Sequence, residues 1–122
     1  MKRAVLLSML IGIGALSLTM AAQRGGPPQD QAPKVVQVDK INDNLYVLKG
    51  GGGNTAVFVM ANGVTVIDTK LPGWGRPLLD KIKTLTNKPI TTIINTHTHG
   101  DHTSGQTEFT GVTADVVTAT RR

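Results

Sequence analysis

The sequence has 122 residues, which is the length of one domain or of part of one. Its 13 Lys and Arg exceed its 8 Asp and Glu and give a net charge of +5, but they form no basic cluster with interleaved aromatic residues, so nucleic-acid binding is not expected. The chain has no cysteine, which excludes disulfides, thiolate metal ligands and a cysteine nucleophile.

Residues 1–22 have the composition of a secretory signal peptide. Lys2 and Arg3 precede an apolar run from Ala4 to about Met20, and two alanines follow. We therefore expect a periplasmic or secreted protein that has no membrane contact after signal cleavage. An uncleaved membrane anchor is the less favoured alternative, because the run contains Gly, Ser and Thr and falls short of the roughly 20 strongly apolar residues of a membrane helix.

Residues 23–34 form the second segment, which is rich in proline, glycine and glutamine. Such a composition buries too little apolar surface to offset the entropy lost on ordering. We expect a flexible linker here, followed by one domain over residues 35–122.

The start of this domain carries four short β-branched or apolar runs, which predict strands at residues 35–38, 45–48, 55–60 and 64–67. The last two flank Asn62-Gly63, and Asn-Gly between β-branched runs is a strong hairpin signal. Gly50–Gly53 is too flexible for a strand interior and predicts a mobile hairpin loop.

A helix follows these strands. Pro77 fits its first turn, where a missing N–H costs nothing, and the helix ends near Thr86. Its apolar residues recur at spacings of three and four: Leu78, Leu79, Ile82 and Leu85. Two more strands are predicted at residues 90–95 and 114–119, with a polar loop between them. Strands followed by a helix and further strands predict an α/β fold with a crossover helix.

The polar loop contains all three histidines of the chain, within the segment THTHGDH at residues 96–102. Imidazole and carboxylate groups are ligands that Zn²⁺ prefers. Histidines clustered beside an aspartate at a strand end therefore predict a metal site. Solvent-exposed loop histidines with no ligand role are the alternative.

The spacing of this segment suggests how the ligands are divided. Residues two apart in extended backbone point to the same side, so His97 and His99 can share one metal. Gly100 allows a sharp turn that can direct Asp101 and His102 towards a second metal nearby.

The pattern His97-x-His99-x-Asp101-His102 after a hydrophobic strand resembles the metal motif of the metallo-β-lactamase-fold hydrolases. Residues 64–69, with the sequence VTVIDT, are similar to the family's hydrophobic strand that ends in an aspartate. The resemblance extends over about residues 35–120. It implies the N-terminal half of an αββα sandwich, a four-layer fold built from two similar halves.

The resemblance also implies roles for these residues. His97 and His99 would bind the first zinc ion, and Asp101 and His102 the second. Asp68 would hydrogen-bond to the metal-binding loop and steady it. Asp101 would in addition be the catalytic residue that orients the attacking water or handles its proton.

The implied activity is that of an exported zinc-dependent hydrolase, in which a metal-activated water attacks an ester, amide or thioester-type bond of a small-molecule substrate. One alternative is an iron-dependent oxidoreductase of the same fold, similar to persulfide dioxygenases. A non-catalytic truncated metal-binding fragment is the other.

The chain departs from the family pattern in two ways. Ser104-Gly105 stands where the family has a pair of glycines, and no histidine follows His102, although the family completes its site with a His, an Asp and a last His further on. We therefore expect a missing C-terminal half of the same fold, an apolar sheet face where that half would pack, and no activity of this chain alone. In such a fold Gly50–Gly53 should lie on the same edge as the histidines.

Overall fold

The computed structural model describes residues 32–119. The predicted signal peptide lies outside these residues, and so does the predicted linker up to residue 31. No helix in the part of the chain from residue 32 to residue 119 is long and apolar enough to cross a membrane.

The described residues form one six-stranded sheet with short helical segments. The strands are β1 (Gln37–Lys40), β2 (Leu45–Lys49), β3 (Thr55–Val59), β4 (Val64–Ile67), β5 (Ile90–Asn95) and β6 (Asp115–Thr118). The helices are α1 (Gly75–Leu85) and α2 (Gly100–Thr103), and a 3₁₀-helix (Ser104–Glu108) follows α2 directly. This mixed content confirms the predicted α/β class.

The strands lie side by side in chain order. The first three pairings are antiparallel, and β4–β5 and β5–β6 are parallel. Parallel neighbours need a crossover connection, which α1 provides between β4 and β5. As a result β4 and β5 end at the same edge of the sheet.

The predicted hairpin between β3 and β4 is present. Val59 pairs with Val64, and the Met60 N–H donates to the Gly63 carbonyl at 2.8 Å across the turn. The first strand differs from its prediction, because β1 begins at Gln37 rather than at residue 35. Val36 is buried in the core while Val35 is exposed, so the chain enters the core before it joins the sheet.

One face of the sheet packs against α1 and forms the core. The apolar stripe predicted for the helix faces inward, and Leu78, Leu79 and Ile82 are buried. The buried core residues of the sheet and its flanks are Val36, Leu48, Val57, Val64, Val66, Ile90, Ile93 and Phe109.

The opposite face of the sheet carries a row of apolar register partners across five strands. The row consists of Val47, Ala56, Ile67, Ile94 and Val117. None of these side chains is fully buried, and Val117 is 53% exposed. Nothing among residues 32–119 covers this face, in agreement with the expectation of an apolar surface left for a further layer.

The segment between β5 and β6 differs from the predicted polar loop, because it is helical over residues 100–108. Its first turn forms when the N–H groups of His102 and Thr103 donate to the His99 carbonyl, at 3.0 and 3.2 Å. The following 3₁₀-helix is tied to α1 through Glu108. The Glu108 carboxylate accepts the Gly73 N–H and, at 3.1 Å, the Arg76 N–H.

Candidate metal centre

Asp68 directly follows β4 and points to the edge where β5 ends. Its backbone is left-handed, with φ of 64°, and its N–H donates to the Ile94 carbonyl at 2.9 Å. The Asp68 carbonyl accepts the Thr55 hydroxyl at 3.0 Å. These bonds fix the turn, so that the Asp68 carboxylate, on a side chain only 6% exposed, is held under the histidine segment.

The Asp68 carboxylate accepts three hydrogen bonds. The Thr96 N–H binds Oδ1 at 2.8 Å, and the Thr96 hydroxyl binds Oδ2 at 2.8 Å. Nδ1 of His102 lies 2.6 Å from Oδ2. Burial alone would raise the pKa of Asp68, but the bonds from the Thr96 N–H, His102 and the Thr96 hydroxyl together hold this pKa below its ordinary value.

His102 is oriented by this contact. Because an ionised carboxylate only accepts, the proton of a neutral His102 is assigned to Nδ1, and Nε2 keeps its lone pair. Nε2 lies 3.3 Å from Oδ2 of Asp101, whose side chain is 46% exposed. One nitrogen of the ring is therefore anchored, and the other lies beside a carboxylate that is open to solvent.

His97 and His99 complete the cluster of rings. The His97 ring lies 4.7 Å from that of His99 and 4.2 Å from that of His102, measured between centroids. Nδ1 of His97 is 2.8 Å from the Thr96 hydroxyl, which also binds Asp68. The structure thus brings the predicted ligands close together, and Asp68 hydrogen-bonds to Thr96 and contacts His102; its steadying role stays a prediction.

The chemistry of this donor set suits a borderline metal such as zinc, because it consists of three imidazoles and one carboxylate. Within residues 32–119, however, no group of three or more His, Asp or Glu side chains is arranged so that it could hold a metal ion. Closing a site would require side-chain rotation or further ligands, and the assignment of His97, His99, Asp101 and His102 as ligands stays a prediction.

The Gly50–Gly53 loop lies against this cluster. The Gly53 N–H donates to the Asp101 carbonyl at 3.0 Å, and a Cβ built on Gly53 would lie 2.5 Å from Cε1 of His102. The predicted location of the loop, on the same edge as the histidines, is confirmed by these contacts. Its mobility stays a prediction.

Sequence reasoning missed Lys70, whose side chain is fully buried beside this loop. The residue has a left-handed φ of 73°, and burial lowers its pKa to about 8. A lysine two positions after a strand-ending aspartate matches no pattern, so the sequence held no signal for it. Thr96 was also missed, although a hydroxyl next to the first histidine could have suggested its role.

Comparison with known families gives a match at the level of sequence. The model of the metallo-beta-lactamase superfamily matches residues 48–119. This range begins within β2 and includes Asp68 and the whole histidine segment.

Solved structures give a second comparison. BJP-1, a subclass B3 metallo-beta-lactamase of Bradyrhizobium japonicum, is 32% identical with a TM-score of 0.54, over 63% of this chain and 31% of that one. A metallo-beta-lactamase from Pontibacter korlensis is 24% identical with a TM-score of 0.60, over 70% and 44%. The sec-alkylsulfatase Pisa1 from Pseudomonas sp. is 25% identical with a TM-score of 0.50, over 56% and 11%. The matched region thus spans less than half of each of these proteins.

Proposed function

The chain belongs to the metallo-beta-lactamase superfamily, and we propose that it supplies the first half of an exported, zinc-dependent hydrolase. In this proposal the histidine segment provides metal ligands, and a second half of the same fold provides the remainder. The uncovered apolar row on the sheet and the partial coverage of BJP-1, 31% of its length, support a missing layer.

The observation that carries the proposal is the contact between Asp68 and His102. Metal-binding histidines commonly donate their second ring N–H to a carboxylate, which fixes the tautomer and makes the free nitrogen a better ligand. His102 has this arrangement, with Nδ1 held by Asp68 at 2.6 Å. Nε2 is left beside the Asp101 carboxylate, as a pair of ligands to one ion requires.

His97 and His99 would hold the first zinc ion, and Asp101 and His102 the second. The metal would act as a Lewis acid that polarises the bond under attack and favours deprotonation of water. Thr96 contacts both pairs of proposed ligands. Its hydroxyl lies 2.8 Å from Nδ1 of His97 and also binds Asp68, which in turn contacts His102. A single side chain therefore links the orientation of the first histidine to that of the last.

Asp101 is the proposed catalytic residue. Its carboxylate is about half exposed, so water can approach it, while its backbone carbonyl is fixed by the Gly53 N–H at 3.0 Å. An oxygen of this carboxylate can orient a water molecule and receive its proton.

The proposed substrate is a small molecule with an ester, amide or thioester-type bond. BJP-1 is a β-lactamase and Pisa1 is a sec-alkylsulfatase, and these activities belong to those proteins. Because the proposed protein is exported, a β-lactam amide is the first substrate to test on a protein that contains both halves.

The metal part of the proposal is tested by calorimetric titration of the 122-residue chain with zinc. We expect at most one zinc ion per chain, because each of the two proposed ions would lack the ligands that the second half provides. The double variant His97→Ala/His99→Ala should lose this binding. Asp101→Ala should weaken it, whereas Asp115→Ala, which removes an exposed carboxylate of β6, should not.

Two tightly bound zinc ions per chain, or binding that survives the double substitution, would contradict the proposed ligands. Metal analysis of the purified protein by mass spectrometry separates zinc from iron. β-Lactam hydrolysis by this chain alone should be undetectable, since no second half closes the site.

A further inference from the structure

Lys70 ties together the two ends of the Gly50–Gly53 loop. Its ammonium Nζ donates to the Leu48 carbonyl at 2.9 Å and to the Gly53 carbonyl at 3.0 Å. Leu48 lies in β2 before the loop, and Gly53 lies just before β3. One side chain, from the turn after β4, therefore holds both stems of a loop made of four glycines.

Burial of the Lys70 ammonium in this arrangement costs free energy. The side chain of Lys70 is 0% exposed, and within residues 32–119 its ammonium makes no ion pair. Its backbone has a φ of 73°, a region that non-glycine residues rarely occupy. Burying a charged amine against carbonyl oxygens alone is unfavourable, so packing by itself does not explain a lysine here.

The stem that Lys70 holds is in contact with the histidine segment. The Gly53 N–H donates to the Asp101 carbonyl, and even one methyl group on Gly53 would lie within 2.8 Å of three atoms of the His102 ring. The turn that carries Lys70 meets the same segment, because the Thr69 N–H donates to the His102 carbonyl at 2.6 Å. Any displacement of Gly53 would therefore move the backbone against which the His102 ring packs.

We propose that Lys70 is a positioning residue for His102. By holding Gly53 it fixes the backbone against which the imidazole packs, and together with Asp68 it keeps Nε2 directed towards Asp101. The proposal rests on the proposed function, in which Nε2 of His102 is a metal ligand. Lys70 itself touches neither metal nor substrate.

The test compares Lys70→Met, which keeps the length of the side chain and removes both donated bonds, with Lys83→Met, which changes an exposed lysine of α1. Zinc affinity is measured by competition with a chromophoric chelator. The tautomer of His102 is measured by ¹⁵N–¹H correlation NMR of the metal-free chain. Lys70→Met should weaken zinc binding by about tenfold and reduce the population of the Nδ1–H tautomer, and Lys83→Met should change neither.

Lys70→Gln covers the case in which Lys70→Met does not fold, because its amide can still donate to one of the two carbonyls. We expect it to have an intermediate effect on both measurements. A folded Lys70 variant with the zinc affinity and the His102 signals of the parent chain would overturn the proposal, even if its unfolding temperature were lower. If the parent chain binds too little zinc to measure, the NMR comparison alone decides: an unchanged population of the Nδ1–H tautomer of His102 in Lys70→Met overturns the proposal, whatever the outcome for the proposed function.

Discussion

Nδ1 of His102 lies 2.6 Å from Oδ2 of Asp68, although the two residues are 34 positions apart in the chain. The contact joins the end of β4 to the turn after β5. It also joins the two sequence motifs that carry the family resemblance, so the stability of the sheet edge and the orientation of the proposed ligands depend on the same carboxylate.

The first prediction concerns this carboxylate. Asp68→Asn keeps the side-chain shape and tolerates the left-handed backbone. Its NH₂ group, however, would face Thr96 or His102, which donate hydrogen bonds to the Asp68 carboxylate. Hydrogen bonds to a charged group are worth about 1.5–3 kcal/mol each, so we expect a loss of about 2 kcal/mol in the free energy of unfolding at pH 7. Urea denaturation measures it.

Two further variants control this measurement. Asp68→Ala removes every acceptor and also places a poorly tolerated residue at φ of 64°, so it should lose more stability than Asp68→Asn. Asp115→Asn changes an exposed carboxylate and should lose almost nothing. Equal stability of Asp68→Asn and Asp115→Asn would show that the buried contact contributes nothing.

The strands, the hairpin and the crossover helix could be predicted because the relevant signals are local. The alternation of apolar residues, the Asn62-Gly63 turn and the apolar stripe of α1 each lie within a few consecutive residues. The candidate ligands were also local, since His97, His99, Asp101 and His102 fall within one short segment.

The rest of the fold and of the candidate site depends on contacts between residues that are distant in the chain, and no local pattern predicts such contacts. Lys70 meets Gly53 from 17 positions away, and Glu108 meets Gly73 from 35 positions away. The segment at residues 100–108 looked like a polar loop because it lacks an apolar stripe. Its helical turns are instead held by Glu108 and by the Gly105 N–H, which donates to the Lys70 carbonyl.

The second prediction concerns the start of α1. Trp74 at the N-cap makes no side-chain hydrogen bond to the helix, and Glu108 instead accepts the Gly73 and Arg76 N–H groups. Replacing a capping side chain by alanine costs about 1 kcal/mol, and we expect Glu108→Ala to lose about that much stability in thermal unfolding. Asp80→Ala breaks an exposed ion pair with Arg76 and should lose less than about 0.5 kcal/mol. Equal losses would contradict this role of Glu108.

The third prediction concerns the close approach of two backbone segments at Gly105. A Cβ on Gly105 would lie 1.9 Å from the Thr69 carbonyl oxygen, so Gly105→Ala must push the 3₁₀-helix away from the turn after β4. Overpacking that forces backbone shifts costs about 1–3 kcal/mol and occasionally more, and because the overlap here is with backbone atoms we expect a loss of about 3 kcal/mol in urea denaturation.

Gly111 is the matched control for this prediction. It has φ of +75°, and among residues 32–119 no atom lies within 4 Å of the position that a Cβ would take there. Gly111→Ala therefore adds only the backbone strain of about 1–2 kcal/mol. A Gly105→Ala chain that loses no more stability than Gly111→Ala would contradict the larger cost expected for forcing the two segments apart.

The fourth prediction concerns the pH dependence of stability that Lys70 imposes. Burial lowers its pKa from 10.5 to about 8 in the folded chain. Below about pH 8 both states hold the proton, and the penalty of burying the ammonium is present in full. Between pH 8 and 10.5 the unfolded chain binds more protons than the folded chain, so the stability contributed by this site rises with pH.

The experiment compares the parent chain with Lys70→Met by urea denaturation at pH 7, 8.5 and 10. Contributions from ionisable groups that both proteins share cancel in the difference. We expect the stability of the parent relative to Lys70→Met to increase from pH 7 to pH 10. The difference between the parent and Lys83→Met should stay constant, because Lys83 is exposed. Parallel pH profiles for the parent and Lys70→Met would show that the buried amine keeps an ordinary pKa, and that solvent reaches it in the folded state.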